Sequence, residues 1–192
     1  MALGFYFDMT RCIGCRTCQV ACKDRHDLQQ AGPRPRRVNT FEAGSFPDAS
    51  LFHHVMSCNH CENPACVADC PTTAMHKTEE GIVVHDDSLC VACKNCMMVC
   101  PYGAPQFDEV KGLIVKCDTC KDLRDAGLPP TCVAACPMRA LDFGDIDELK
   151  AKYGDDLVSE LPYLPPASWT NPHVLIKPIE QAKSEAFTAV VL

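Results

Sequence analysis

A chain of 192 residues with 47% hydrophobic content is long enough for one domain, or two small ones, with a core of ordinary size. Its formal net charge of −7 argues against a nucleic-acid-binding protein, which would carry a basic excess. The sequence has no run of about 18 apolar residues to cross a membrane, and its N-terminus lacks the charged and apolar segments of a signal peptide. The unusual feature is the cysteine count, which is 16.

The predicted elements of the first two thirds are short strands between cysteine-rich segments. GFYFD, residues 4–8, predicts a strand directly before the first cysteines. Residues 25–50 contain no cysteine and are rich in proline, glycine and arginine, so we expect a solvated loop; docking of its GPRPRR segment to an acidic partner is the alternative. Residues 74–87 and 105–116 each predict a strand, a turn and a second strand.

The chain changes character after a last predicted strand, ALDF, at residues 140–143. Asp145 and Glu148 have the spacing of a capping box, which predicts a short helix through Lys152 that Gly154 ends. The residues beyond are interrupted by prolines, so we expect 146–192 to form this helix and an extended C-terminal tail for subunit docking. A tail folded back over the same chain is the alternative.

The 16 cysteines fall into four groups of four, and their spacing is the strongest pattern in the sequence. In chain order the groups are Cys12, Cys15, Cys18 and Cys22; Cys58, Cys61, Cys66 and Cys70; Cys90, Cys93, Cys96 and Cys100; and Cys117, Cys120, Cys132 and Cys136. The first and third groups follow C-x2-C-x2-C-x3-C without alteration, and three of the four groups end in Cys-Pro. This is the ligand pattern of bacterial [4Fe–4S] ferredoxins.

The spacing also predicts how the thiols are shared between clusters. Three cysteines two residues apart lie on a loop that curls around one cluster, while the fourth begins a helix and points away from the other three. In the third group, Cys90, Cys93 and Cys96 would therefore hold one cluster, and Cys100 would reach its neighbour. The proline that follows ends the local helix and turns the chain into the next strand.

Three other uses of clustered cysteines fit less well. A disulfide framework needs an oxidising compartment, for which no export signal is visible. Zinc is usually bound by two separated C-x2-C pairs, without a third cysteine two residues on. Redox C-x-x-C chemistry would use one or two such pairs. The sequence therefore predicts an α+β fold of duplicated bacterial-ferredoxin-like repeats that bind iron–sulfur clusters, and it leaves open which groups are paired.

Nearly the whole chain resembles the iron–sulfur subunits that partner molybdopterin enzymes, in particular the dimethyl sulfoxide reductase family. The resemblance is carried by the four groups and by the segments SCNHCENPAC, CPTTAMHK, CPYGAPQ and CPMRALDFG. It implies four [4Fe–4S] clusters and an exchange of ligands between groups. The implied sets are Cys12, Cys15, Cys18 and Cys136; Cys22, Cys117, Cys120 and Cys132; Cys58, Cys61, Cys66 and Cys100; and Cys70, Cys90, Cys93 and Cys96.

The resemblance also divides the chain. Groups one and four would form an outer ferredoxin-like half, residues 1–24 plus 111–145, and groups two and three an inner half, residues 51–110. The loop at 25–50 would connect them. Some relatives replace the third cysteine of the third group by tryptophan and hold a three-iron cluster there. Because this chain has Cys96, the resemblance implies four complete cubes.

A chain with four clusters and no other evident catalytic residue is expected to conduct electrons. The resemblance implies a molybdopterin-containing catalytic subunit at one end and an integral membrane anchor with a menaquinol site at the other. It places the complex at the bacterial cytoplasmic membrane, on the periplasmic face if a partner carries a twin-arginine signal, or else on the cytoplasmic face. A polyferredoxin subunit of a hydrogenase, formate dehydrogenase or polysulfide reductase is the alternative.

Several charged or titratable residues lie next to the predicted ligands. Each of four basic residues could raise the potential of a nearby cluster, although a surface salt bridge is the simpler role. These residues are Arg11, Arg16, Lys23 and Lys94. His76 could line a quinol pocket of a membrane partner, or be an ordinary surface residue.

Overall fold

The computed structural model describes residues 2–184 and 186–190, and in this part of the chain it has ten strands and six short α-helices. The strands form two three-stranded sheets and two two-stranded hairpins, which gives a mixed α and β fold. Among the described residues, no helix combines the length and the apolar character needed to cross a membrane.

The first sheet joins the two ends of the chain. Its strands are β1 (Leu3–Asp8), β8 (Leu141–Asp145), antiparallel to β1, and β9 (Val174–Lys177), parallel to β1. Both faces of β1 are buried, because Phe5 and Phe7 pack into the main core while Tyr6 stacks on Tyr153 with ring centroids 3.7 Å apart. Because neither face is exposed to solvent, the sequence of β1 lacks the alternation of polar and apolar residues that a half-exposed strand shows. The strands predicted before the first cysteine group and after the fourth are confirmed, and they pair with each other.

Gly4 allows the first strand to lie against the chain that leads into β9. A Cβ at this position would lie 2.3 Å from the carbonyl oxygen of His173 and 2.5 Å from Cδ1 of Ile146. The neighbouring residue Phe5 donates its backbone N–H to the same carbonyl, at 3.2 Å. The close approach of the two segments therefore depends on the missing side chain.

We expect Gly4→Ala to push the segment before β9 away from β1 and to destabilise the fold by about 1–3 kcal/mol, because the new methyl overlaps backbone atoms. Limited trypsin digestion should then release C-terminal fragments faster. Gly32→Ala is the control, since its Cβ would meet only Cγ of Gln30, at 3.9 Å. Equal digestion rates for the two variants would contradict the expectation.

The second sheet corrects the loop expected at residues 25–50. Its strands are β2 (Arg37–Ala43) in the middle, β3 (Ser50–Met56) and β10 (Phe187–Val190), both antiparallel to β2. The ring of Phe41 on β2 lies 5.0 Å from the ring of Phe52, 4.7 Å from that of Tyr163 and 5.3 Å from that of Phe187, centroid to centroid. This buried aromatic cluster stabilises a strand inside a segment whose composition is that of a loop.

The C-terminal region begins with the predicted helix, which is α6 (Ile146–Tyr153). Oδ1 of Asp145 accepts hydrogen bonds from the backbone N–H groups of Asp147, at 2.9 Å, and Glu148, at 3.3 Å, which confirms the capping role. Beyond α6 the chain crosses back to both sheets as β9 and β10, and Ile176 is 1% exposed. The tail therefore folds over its own chain, which is the alternative arrangement given in the sequence analysis.

The middle of the chain consists of two hairpins and a series of short helices. The hairpins are β4 (Met75–Lys77) with β5 (Val83–His85), and β6 (Gln106–Asp108) with β7 (Leu113–Val115). They confirm the two predicted strand–turn–strand segments. The helices are α1 (Thr17–Arg25), α2 (Ala65–Ala68), α3 (Asn95–Val99), α4 (Lys121–Asp125) and α5 (Thr131–Ala134). Helix α1 packs against α5, and α2 packs against α3.

Candidate metal centres

In all four cysteine groups the backbone adopts the left-handed conformation at the residue before the second cysteine. These residues are Gly14, His60, Ala92 and Thr119, with φ of 67°, 45°, 54° and 62°. For the three that are not glycine this conformation costs roughly 1–2 kcal/mol each, and such strain is typical of functional sites. The repeated turn coils each loop around its own sulfur atoms.

A second left-handed turn follows the closing cysteine of three groups. It falls on the third residue beyond that cysteine, at Thr73, Gly103 and Arg139, with φ of 58°, 58° and 51°. Shortly after the turn a backbone N–H reaches the sulfur: that of Met75 donates to Cys70 Sγ and that of Ala140 to Cys136 Sγ, both at 3.3 Å. Hydrogen bonds to sulfur stabilise a thiolate and tune the potential of a cluster that it holds.

Three cavities are each lined by four cysteines. The sets are Cys12, Cys15, Cys18 and Cys136; Cys58, Cys61, Cys66 and Cys100; and Cys70, Cys90, Cys93 and Cys96. Each set combines three cysteines of one group with the closing cysteine of another. Apart from the cysteines, most of the residues that line each cavity are apolar. Four sulfur atoms at one cavity fit an iron–sulfur cluster, for which four cysteine thiolates are the usual ligand set.

The other four predicted ligands lie where α1, α4 and α5 meet. All four, Cys22, Cys117, Cys120 and Cys132, are buried. Burial raises the pKa of the Cys117 thiol well above its usual value, and the nearby sulfurs of Cys22 and Cys132 raise it further. Sγ of Cys120 lies 3.9 Å from Oγ1 of Thr131 on α5. The structure therefore brings Cys22, Cys117 and Cys132 together and places the Cys120 sulfur beside the residue that precedes Cys132.

His26 and Asp118 lie beside this fourth set. A ring nitrogen of His26, a carboxylate oxygen of Asp118 and the Cys120 sulfur all lie within 4.8 Å of one another. The hydrogen bond with Cys120 is the main cause of the raised pKa of His26. Because Cys120 already belongs to a cysteine set, these side chains are neighbours of that set and do not form a separate site.

Burial disfavours the charged form of several of the sulfur atoms. It raises the pKa of Cys18 and of Cys66 to about 12 and that of Cys61 to about 11. Without a metal these thiols would be uncharged at neutral pH, whereas a coordinated thiol is deprotonated. A set of buried sulfur donors that need a cation in order to ionise fits iron–sulfur ligation, for which thiolate is the preferred ligand.

The four basic residues noted in the sequence lie beside the cysteine loops, but the charged groups of three of them contact partners other than the cysteine sulfurs. Lys23 Nζ donates to two backbone carbonyls, at 2.7 and 3.0 Å, and Lys94 Nζ lies 3.7 Å from the centroid of an aromatic ring. A carboxylate lies 3.9 Å from Arg11, and Arg16 is half-buried at the wall of the cavity near Cys12. Among the described residues, none of the four side chains donates to a cysteine sulfur. His76 is exposed on β4.

Sequence reasoning missed three buried polar side chains among the cysteines. Arg36 is 2% exposed, and its Nη2 lies 3.3 Å from Cys132 Sγ. Lys116 donates to two backbone carbonyls, one of them that of Cys117 at 2.9 Å. His60 is fully buried, and its Nδ1 accepts a backbone N–H at 3.2 Å. Adjacency to ligands could have indicated Lys116 and His60, but no local pattern indicates Arg36.

Residues 50–146 match the family model that is described as "4Fe-4S dicluster domain". The chain belongs to this family of iron–sulfur electron-transfer subunits.

Known relatives extend the similarity to nearly the whole chain. It is 48% identical to the B subunit of anaerobic dimethyl sulfoxide reductase of Escherichia coli K12 over 183 residues, which cover 91% of this chain and 88% of the relative. The chain is 37% identical to the B subunit of polysulfide reductase of Wolinella succinogenes over 189 residues, which cover 95% of this chain and 97% of the relative. It is 40% identical to the thiosulfate reductase electron transfer subunit PhsB of Salmonella typhi over 143 residues, which cover 73% of this chain and 74% of the relative.

Proposed function

We propose that this chain carries electrons through four [4Fe–4S] clusters between a membrane subunit that oxidises menaquinol and a molybdopterin-containing catalytic subunit, within a dimethyl sulfoxide reductase-like complex. The observation that carries the proposal is the interleaving of cysteine groups, in which three cavities each receive three cysteines of one group and the closing cysteine of another. Interleaving supports electron transfer because it keeps neighbouring clusters close together. The similarity to the B subunits of reductases supports the class of partner.

In this proposal each cluster has four thiolate ligands. The sets are Cys12, Cys15, Cys18 and Cys136; Cys22, Cys117, Cys120 and Cys132; Cys58, Cys61, Cys66 and Cys100; and Cys70, Cys90, Cys93 and Cys96. When bound, the clusters supply one-electron redox chemistry. The polypeptide holds the thiolates in place, keeps water away from the buried sulfurs and donates backbone N–H groups to them, which sets the potentials.

The two-part division of the chain belongs to the same proposal. Residues 1–24 plus 111–145 would form the outer half, and residues 51–110 the inner half. Packing of α1 against α5 and pairing of β1 with β8 support the outer half. Packing of α2 against α3 supports the inner half. The link at 25–50 contributes β2 and is therefore part of the folded core.

Two exposed faces suit the two partner subunits. Cys15 and Cys93 are the exposed cysteines, and they belong to different halves. Beside the first, Ile13 is 59% exposed; beside the second, Val91 is 63% and Met98 82% exposed. A partner subunit that docked at either cysteine would cover these apolar side chains. One face would receive electrons from the membrane subunit, and the other would pass them to the catalytic subunit.

Anaerobic purification of the tagged chain from its host tests the proposal. We expect about 16 iron atoms per chain, four for each cluster, and molybdenum in a large co-purifying protein. Nickel in place of molybdenum would contradict the proposed partner and favour a polyferredoxin of a hydrogenase. Protease treatment of spheroplasts tests location: digestion is expected if the complex is exported with a twin-arginine partner, and protection places it on the cytoplasmic face.

A further inference from the structure

Arg36 is a permanent positive charge in the interior of the protein. It is 2% exposed, and its Cζ lies 4.2 Å from the centroid of the Phe5 ring. Nη2 donates to Cys132 Sγ at 3.3 Å, while Nε has no hydrogen-bond partner among the described residues. In that same part of the chain Arg36 has no carboxylate within ion-pair distance. A buried cation without an anionic partner is strongly destabilising.

Several cysteine sulfurs lie near this guanidinium group. Burial lowers the pKa of Arg36, and the sulfurs of Cys132, Cys117, Cys18 and Cys22 together raise it by more. Cys22, Cys117 and Cys132 belong to one proposed ligand set. Cys18 belongs to another, that of Cys12, Cys15, Cys18 and Cys136. Arg36 therefore lies between two proposed cluster sites, with its direct hydrogen bond to the first of them.

Neutral thiols would not offset the cost of burying this charge, because a thiol is only a weak hydrogen-bond acceptor. Thiolates bound to iron carry negative charge, and charge-assisted hydrogen bonds are roughly twice as strong as neutral ones. Arginine offers five N–H donors in a rigid plane and remains charged in the interior. The unused Nε and the sulfur contact of Nη2 are thus explained together if the neighbouring group is an anionic cluster.

The backbone around Arg36 is fixed on both sides. Two prolines precede it and restrict the chain. The backbone of Arg34 exchanges two hydrogen bonds with the side-chain amide of Gln106, both at 2.9 Å. After Arg36, the N–H of Val38 donates to Oε1 of Gln19 on α1, at 3.1 Å. The segment is anchored to the hairpin β6–β7 and to α1, so Arg36 is held in the interior.

We propose that Arg36 is a positioning residue for the cluster assigned to Cys22, Cys117, Cys120 and Cys132, and that its charge and N–H groups raise the reduction potential of that cluster. The inference rests on the proposed function. A fixed positive charge favours the state that carries one more electron, so it stabilises the reduced cluster relative to the oxidised one.

Arg37 provides a matched control. Its guanidinium donates to the backbone carbonyls of Tyr102 and Gly103, the second at 2.9 Å, and it lies near Cys100, which belongs to a different set. Arg37→Gln therefore removes one positive charge from the adjacent position in the chain without removing the charge beside Cys132.

The test compares Arg36→Gln, Arg36→Lys and Arg37→Gln in the purified complex, by iron analysis and then by redox titration followed by electron paramagnetic resonance. The relevant signal is the one that a Cys117→Ala variant lacks. We expect Arg36→Gln to lower the ratio of reduced to oxidised cluster about tenfold at a fixed potential, which is about 59 mV for a one-electron couple. Arg36→Lys should retain most of the ratio, and Arg37→Gln should leave it unchanged.

Iron content distinguishes this inference from the proposed function. Absence of clusters from the unsubstituted protein would contradict the proposed function, whereas full iron and an unchanged ratio in Arg36→Gln would overturn only the role of Arg36. If Arg36→Gln loses one cluster and Arg36→Lys keeps it, the charge is required to hold the cluster and the positioning role stands; an unchanged ratio in Arg36→Lys is then needed to uphold the effect on the potential. If both variants lose it, the side chain acts through its shape, and the proposal fails.

Discussion

Replacing Cys66 and Cys100 together is expected to remove one cluster, whereas replacing Cys96 and Cys100 together is expected to remove two. Cys66 and Cys100 come from different groups but line the same cavity, while Cys96 comes from the same group as Cys100 and lines another. Iron should therefore fall from about 16 atoms per chain to about 12 in the first double alanine variant and to about 8 in the second. Iron and sulfide analysis of anaerobically purified protein measures the difference.

The single variants Cys66→Ala, Cys96→Ala and Cys100→Ala are the controls for this comparison. Each should lose about the iron of one cluster. The first double variant should therefore lose no more iron than Cys66→Ala or Cys100→Ala alone. Integrated paramagnetic resonance spectra should show the same missing signal for Cys66→Ala and Cys100→Ala. If instead the Cys96 and Cys100 pair behaves as one site, each group binds its own cluster and the interleaved assignment is wrong.

Removing iron is expected to unfold much of the chain. The main core includes four cysteines that are each less than 8% exposed, Cys18, Cys58, Cys117 and Cys132. The helices that carry ligands have 4 to 9 residues, which is too short for stability without tertiary contacts. With the cluster gone, the cysteines would line empty space, and their neighbours would lose packing contacts.

Amide hydrogen exchange before and after anaerobic chelation measures this dependence. The hairpins β4–β5 and β6–β7 should lose nearly all protection, because an isolated two-stranded hairpin is marginally stable in water. The sheet β10–β2–β3 should keep more of its protection than the hairpins, since its strands also share a cluster of Phe41, Phe52, Tyr163 and Phe187 that contains no cysteine. Unchanged protection in the hairpins would mean that the polypeptide alone forms the core.

Features that depend on neighbouring residues could be predicted from the sequence. The cysteine spacing is fixed by the geometry of ligation, and each hairpin closes within a few residues of Gly81 or Gly112, where φ is positive and glycine has no steric cost. Asp145 similarly caps N–H groups two and three residues away. In each case the stabilising interaction and its residue pattern occupy the same short segment.

Features that depend on distant contacts could not be predicted. Strand β2 directly follows a basic, proline-rich segment, and it is stabilised by rings that come from β3, β10 and Tyr163. The same composition favoured an exposed Arg36, but its surroundings include sulfurs as distant in sequence as Cys132. The pairing of β9 with β1 has no local pattern either. Which cysteine groups exchange ligands was available only through the resemblance to a known family.

The sheet that unites β1, β8 and β9 has a consequence for the order in which the protein matures. The two cysteine sets between Cys58 and Cys100 come from one continuous stretch, whereas the set at Cys12 needs Cys136. Synthesis makes the N-terminus first, yet β1 must wait for partners near the other end of the chain. The cysteines within residues 51–110 can meet while the ribosome is still at work, and Thr170 covers one of their cavities later. The first cysteines to be made are thus among the last to meet their partner.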